Sequence, residues 1–166
     1  MKFEPTESQA KLLDKVKVWF RNWENGIRSN DHPQWFSYSG AAGVGKGVSA
    51  RMIVDMLGLN SNTYIACAYV GKAVLQLRKN GMNAKTIHSL IYDSRLIIDK
   101  DKKTGKVIKR YEFFLKERLD KDYRLIFVDE AGMVNDEMVK ELLSFGVPII
   151  FMGKCCPMYL VMSACF

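Results

Sequence analysis

The stretch that most restricts how this chain can fold is Ser39-Gly40-Ala41-Ala42-Gly43-Val44-Gly45-Lys46-Gly47, which follows the apolar run Trp35-Phe36-Ser37-Tyr38. After it, Val48, Met52 and Met56 recur at helical spacing. A strand, a glycine-rich turn and a helix in that order make a phosphate-binding loop. Glycines let the backbone curl until successive N–H groups point at one anion, and the following helix adds the positive end of its dipole. Lys46 then reaches the outer phosphates as a point charge. Gly40, Gly45 and Lys46 meet the pattern G-x-x-x-x-G-K, but its usual closing Ser or Thr is Gly47. That hydroxyl ordinarily coordinates the magnesium carried by a nucleotide. Ser49 lies two residues on and is expected to face away from the ligand.

Such a loop needs a sheet beneath it, and the rest of the chain supplies strand and helix patterns in alternation. Thr6 caps a helix over 6–24, with Leu12, Leu13, Val16, Trp19, Phe20 and Trp23 repeating at three and four. A first strand at 35–39 leads through the loop into a helix to about Leu57. A second strand over 63–69 precedes a helix over 72–80, and Thr86 caps a short helix carrying His88, Leu90 and Ile91. A hairpin is expected at 95–111, turning at Lys102-Lys103-Thr104-Gly105, and then a mixed helical piece with Phe113, Phe114, Leu115 and Leu119. The third core strand, 124–128, ends in Asp129-Glu130. A helix capped by Asn135 and a last strand at 149–152 complete the set. This order predicts a three-layer α/β domain with a central, mostly parallel sheet and a short inserted hairpin.

At 166 residues the chain is long enough for one domain with a real core. It carries a formal charge of +7, and the segment from Lys100 to Arg110, with six basic residues and one acid, supplies most of it. Such a segment either neutralises nucleic-acid phosphates or simply keeps a hairpin tip soluble. Cysteines at 67, 155, 156 and 165 form neither a metal spacing nor a disulfide framework. The start of the chain has no apolar leader, and no run approaches membrane-spanning length, so the expected location is the cytoplasm.

Asp129-Glu130 falls at the carboxyl end of an apolar strand, where open α/β sheets bind their ligands. In a nucleoside triphosphatase the Asp of such a pair holds magnesium, and the Glu orients and deprotonates the attacking water. Alone, the pair could equally cap the next helix.

With the loop, the pair and their spacing in view, the chain resembles the first motor domain of a superfamily 1 DNA helicase of the RecD-like, 5′-to-3′ branch. Gly-Ala-Ala-Gly-Val-Gly-Lys resembles that family's Walker A sequence, and Asp129-Glu130-Ala131-Gly132-Met133-Val134 its Walker B motif. Gly71-Lys72-Ala73 and Ala84-Lys85-Thr86-Ile87-His88-Ser89-Leu90 are similar to stretches typical of the branch, and Thr6-Glu7-Ser8-Gln9 to its Q motif. The likeness covers most of residues 3–153 and implies a RecA-like P-loop NTPase domain over 1–153. By this resemblance Gln9 selects adenine, and Gly40, Ala42, Gly43, Val44, Gly45, Lys46, Gly47 and Val48 surround ATP. Lys46 and Glu130 are the catalytic pair, and Asp129 holds Mg²⁺. Val70, Gly71, Lys72, Thr86 and His88 face single-stranded DNA. The hairpin occupies the place where relatives insert a strand-separating pin.

Three departures weaken the motor. Gly47 lacks the hydroxyl, and after Phe151-Met152-Gly153 the family's Asp-x-x-Gln-Leu-Pro-Pro is replaced by Lys154-Cys155-Cys156-Pro157-Met158-Tyr159. The third is the second motor domain, which the resemblance expects and these residues do not supply. The tail at 154–166, charge-free after Lys154, is expected to be a truncated or frame-shifted continuation. The expectation is therefore ATP binding with little hydrolysis and no unwinding. Two rivals stand beside it: another P-loop phosphotransferase or NTPase, and a non-catalytic nucleic-acid-binding module that keeps the loop as scaffold.

Overall fold

The computed structural model describes residues 4–29, 32–39, 46–100 and 105–153. Residues 40–45, 101–104 and 154–166 lie outside the described residues, and with them Gly40, Ala42, Gly43, Val44 and Gly45 and most of the expected turn at Lys102-Lys103-Thr104-Gly105.

The chain opens with α1 (Glu7–Glu24). Thr6 caps it reciprocally: its hydroxyl accepts from the Gln9 N–H, and the Gln9 side-chain oxygen accepts from the Thr6 N–H. Then come β1 (Trp35–Ser39), α2 (Lys46–Met56), β2 (Tyr64–Ala68), α3 (Gly71–Lys79), β3 (Ala84–Thr86) and α4 (Ile87–Ile91). The two long strands β4 (Tyr92–Lys100) and β5 (Val107–Leu115) follow. After them come β6 (Leu125–Asp129), a short 3-10 turn (Ala131–Met133), α5 (Asp136–Ser144) and β7 (Ile149–Gly153).

Five strands form one sheet in the order β1-β7-β6-β2-β3, every neighbouring pair parallel. Parallel strands of this kind need both faces covered, so they read as continuous apolar runs whose side chains alternate between the two faces. Tyr64, Ala66, Leu125, Phe127, Ile150 and Met152 pack under α1, α2 and α3. Their neighbours Ile65, Cys67, Ile126, Val128, Ile149 and Phe151 pack under α4 and α5. The predicted three-layer α/β fold with a parallel centre is what the chain adopts.

Because all five strands run the same way, their carboxyl ends line one edge. Ser39 of β1 pairs with Gly153 of β7. Asp129 of β6 pairs with Ala68 of β2, which in turn pairs with Thr86 of β3. One strand separates β1 from β6, which puts their ends about 10 Å apart.

β4 and β5 form a separate antiparallel ribbon, paired without a break from Tyr92–Leu115 to Lys100–Val107. It is longer than the expected 95–111, and β5 takes in Phe113, Phe114 and Leu115, which the sequence reading placed in a helical piece. That expectation is corrected: the three residues pair with Ser94, Asp93 and Tyr92, and cross-strand pairing overrides an apolar run whose period is ambiguous. β3, too short to stand out in the sequence, exists because Lys85 and Thr86 continue the sheet beside Cys67 and Ala68. Among the described residues no helix is long and apolar enough to cross a membrane.

Candidate nucleotide site at the carboxyl edge of the sheet

Lys46 is the first residue of α2, at the top of the sheet beside the end of β1. Beneath it, the Tyr38 hydroxyl donates to the Lys46 carbonyl at 3.2 Å, and it lies 2.9 Å from the Met152 sulfur. Burial, followed by the nearby charge of Asp129, pushes the Tyr38 phenol well above its ordinary value. It therefore stays protonated and keeps donating. Sequence reasoning missed Tyr38. Its signal was an inward-facing phenol on β1, two residues after Phe36, which a buried strand tolerates only with a partner for the hydroxyl.

Across β7, Asp129 ends β6 half-buried. Burial raises its carboxyl above the usual range, opposed by a 2.9 Å hydrogen bond from the Glu130 N–H and by the positive charge of Lys46. The structure thus brings together the two groups that the sequence pairs. The charge of Asp129 reaches both flanks of β6, since it also helps raise Tyr38 on β1 and the buried Cys67 thiol on β2.

Glu130 is exposed, and its backbone is left-handed (φ 51°, ψ 45°). Among the described residues it is the non-glycine with positive φ. A non-glycine residue held there costs about 1–3 kcal/mol, a strain that collects at functional sites. Here it carries the chain abruptly from β6 into the 3-10 turn, leaving the carboxylate beyond the strand end.

A cavity of about 460 Å³ opens between α1, β1 and α2, with Gln9, Lys15, Tyr38, Lys46 and Ser49 in its wall. Ser49, expected to face away from the ligand, shares this wall with Lys46. Counted from Gly47 it points away, but counted from Lys46 it is three residues on, and so shares the lysine's face. There its hydroxyl meets the Gln9 amide at 3.4 Å. Gln9, assigned to adenine by resemblance, closes the α1 cap with its oxygen and points its nitrogen at Ser49. A larger cavity, about 980 Å³, lies at the root of the ribbon among Asp93, Lys116 and Asp120. In its wall Lys116 pairs with both Asp93 and Asp120.

At Gly47 a Cβ would come within 2.5 Å of the Asn80 side-chain nitrogen. A carboxamide from the end of α3 therefore stands against the position where the motif usually has a hydroxyl residue. Val48 is exposed on the first turn of α2.

The residues expected to face DNA share the same edge. Val70 precedes α3 without a side-chain cap, and Gly71 and Lys72 lie exposed on its first turn. Thr86 caps α4 by accepting from the Ser89 N–H. His88 is exposed, with its ring between those of Tyr69 and Tyr92, centroids 5.6 Å away on each side. Neither tyrosine was singled out from the sequence.

Among the described residues no group of three or more His, Cys, Asp or Glu side chains could cage a metal. Mg²⁺ does not need such a cage; one or two carboxylates plus phosphate oxygens and waters hold it. Asp129, at the strand end and within the electrostatic reach of Lys46, fits that requirement.

A sequence model of the family described as AAA domain, a P-loop NTPase family, matches residues 29–148. The match spans the sheet from β1 to β6 and leaves α1 and β7 outside. No curated protein matches the chain. A P-loop NTPase domain implies nucleotide binding, usually with Mg²⁺.

Proposed function

The chain belongs to the AAA-domain family of P-loop NTPases, and on that premise we propose that it is the ATP-binding first motor domain of a RecD-like, 5′-to-3′ superfamily 1 DNA helicase. One observation supports the reading: Lys46 and the Asp129-Glu130 pair lie along the sheet edge that also carries Thr86, His88 and Lys72. A nucleotide seated there lies within reach of a strand laid across the edge.

In this reading Lys46 binds the β- and γ-phosphates, and the amides of Gly43, Val44 and Gly45 complete the cradle. Asp129 holds Mg²⁺, which neutralises phosphate charge. Glu130 orients the attacking water and accepts its proton. Gln9 reads the adenine edge, giving up its contact with Ser49 to do so. Gly47 supplies no hydroxyl to the metal, so binding outlasts hydrolysis. Stepping along DNA needs two such domains closing on the nucleotide, so these residues account for binding and slow turnover, not for unwinding.

The test is a calorimetric titration with ATP, with and without Mg²⁺, repeated for Lys46→Ala. Losing a charge-assisted contact is expected to weaken binding about tenfold or more. Equal affinity for the variant would end the proposal. Gly47 favours a second reading, a nucleic-acid-binding module whose loop is scaffold only. Gly47→Thr combined with Asn80→Ala, which clears the space a side chain needs, separates the two. A rise in Mg²⁺-dependent, DNA-stimulated turnover supports the motor, and turnover indifferent to DNA points to a phosphotransferase. DNA binding without ATP affinity selects the module.

A further inference from the structure

The register of the ribbon sorts its residues onto two unlike faces, because directly paired residues in an antiparallel ladder point the same way. One face holds Asp93, Asp99 and Glu112 against Arg95 and Arg110, close to balanced charge. The other begins at Tyr92 and runs outward through Phe113, Leu96, Tyr111 and Ile98 to Lys109 and Lys100, with no carboxylate anywhere on it. Water surrounds its side chains: Phe113 is 62% exposed, Tyr111 66% and Ile98 61%. The core clusters use none of these three.

Size and charge decide what covers this face. Nine residues of strand span about 30 Å, and two strands are about 10 Å wide, so the face offers roughly 300 Å². A stable protein interface takes about 800 Å² from each partner. A narrow strip of aromatic rings that ends in lysines suits an extended polyanion carrying flat rings of its own. The strip also continues inward, since the Tyr92 ring lies against His88 and the His88 ring against Tyr69, each pair tilted, just past the end of β2.

We propose that this face of the ribbon is a stacking platform for single-stranded nucleic acid, its bases lying on Tyr111 and Phe113 and its phosphates near Lys109 and Lys100, with the track continuing over Tyr92, His88 and Tyr69 to the sheet edge. The inference deepens the helicase reading by giving the strand a path, and it rests on that reading for the polymer's identity. It requires no nucleotide and assigns no strand-separating role to the ribbon tip.

The experiment is fluorescence anisotropy with a labelled 15-nucleotide oligothymidylate and no ATP, across a range of salt. The Tyr111→Ala/Phe113→Ala double variant is expected to bind about tenfold or more weakly, with an unchanged salt slope because no cation is lost. Tyr111→Phe should bind like the parent. Lys109→Ala should weaken binding modestly and flatten the salt dependence. Circular dichroism and ATP affinity of the double variant serve as folding controls, since both side chains stand clear of the core. Parental binding by the double variant overturns the inference. So does a parent that self-associates in sedimentation while the double variant does not, which would make the strip a contact between copies. A parent that binds ATP but no oligothymidylate overturns it and leaves the nucleotide site standing. Oligothymidylate binding lost in the double variant, in a chain without ATP affinity, supports the platform and ends the motor reading.

Discussion

β2 and β5 both carry aromatic and aliphatic side chains, yet these end in opposite surroundings. All five residues of Tyr-Ile-Ala-Cys-Ala in β2 are buried. In β5, eight of nine residues are exposed, including Tyr111, Phe113, Phe114 and Leu115. Folding explains the first strand completely: each side chain leaves water for one of two packed layers. It does not explain the second. A two-stranded ribbon has no layer to bury against and is marginal by itself, so its apolar residues contribute little to holding the domain together.

The contrast breaks first under paired truncations. Phe127, at the centre of β6, is fully buried with its ring edge-on to Tyr64 at 6.1 Å. Phe127→Ala should cost about 3–5 kcal/mol in urea denaturation. Phe113→Ala removes the same atoms from water-exposed surface and should cost less than about 0.5 kcal/mol. Similar losses would mean that the ribbon is covered in solution, and that body and ribbon are not the different regions described here.

A smaller effect sharpens how the ribbon is held. Its root is tied by the Tyr92 hydroxyl, which donates to Glu141 of α5, and by the Lys116 N–H, which donates to the Ile91 carbonyl at 2.8 Å. Burial and the Glu141 carboxylate together push the Tyr92 phenol up to about 12. Tyr92→Phe forfeits a hydrogen bond to a charged acceptor, a loss of about 1.5 kcal/mol. Hydrogen exchange should locate that loss, with ribbon amides opening faster while those of β2 and β6 keep the parent's rates.

Asp129 gives an effect of opposite sign. Burial raises its carboxyl above the ordinary value, so the folded chain holds that proton more tightly than the unfolded chain. Its ionised form therefore costs stability above the raised value, and the cost fades as pH falls from the raised value to the ordinary one. Asp129→Asn should melt higher than the parent at pH 7 and lose that advantage in acid. Mg²⁺-dependent ATP binding should fall in the same variant. A lower melting temperature at pH 7 would mean that Lys46 more than compensates the burial.

The same contrast marks what the sequence makes legible. Much of the body could be read because its signals are local: the Thr6 cap and the continuous apolar run of β6 each depend on neighbouring residues. Lys46 and Asp129 could be placed at one edge from the sequence because parallel strands must end there. The ribbon's extra length was not legible, since Phe113-Phe114-Leu115 has no period of its own and its strand character comes from Ser94, Asp93 and Tyr92 across the ladder. Tyr38 under Lys46 and the Tyr69–His88–Tyr92 ring cluster were hidden for a related reason: each joins residues from elements that only the sheet order makes adjacent.

The smallest expected effect lies at the ribbon root. Asp120 accepts from Lys116 at 2.7 Å and from Lys85 of β3 at 3.1 Å, and these bonds hold its carboxyl below the usual range. A carboxyl lowered in the folded state stabilises it above the ordinary value, and that contribution disappears as pH falls through the lowered one. The Asp120 side chain is 45% exposed, so the contribution at pH 7 should not exceed about 1 kcal/mol. Melting curves of the parent and Asp120→Asn should therefore differ slightly at pH 7 and converge in strong acid. Raising salt at neutral pH should narrow the gap as well. A gap unchanged by acid and salt would mean that Asp120 acts by packing, as residues of the body do. The sheet is held by burial, which protons do not remove, whereas part of the ribbon's attachment is ionic. Acid should therefore loosen the ribbon before it melts the sheet.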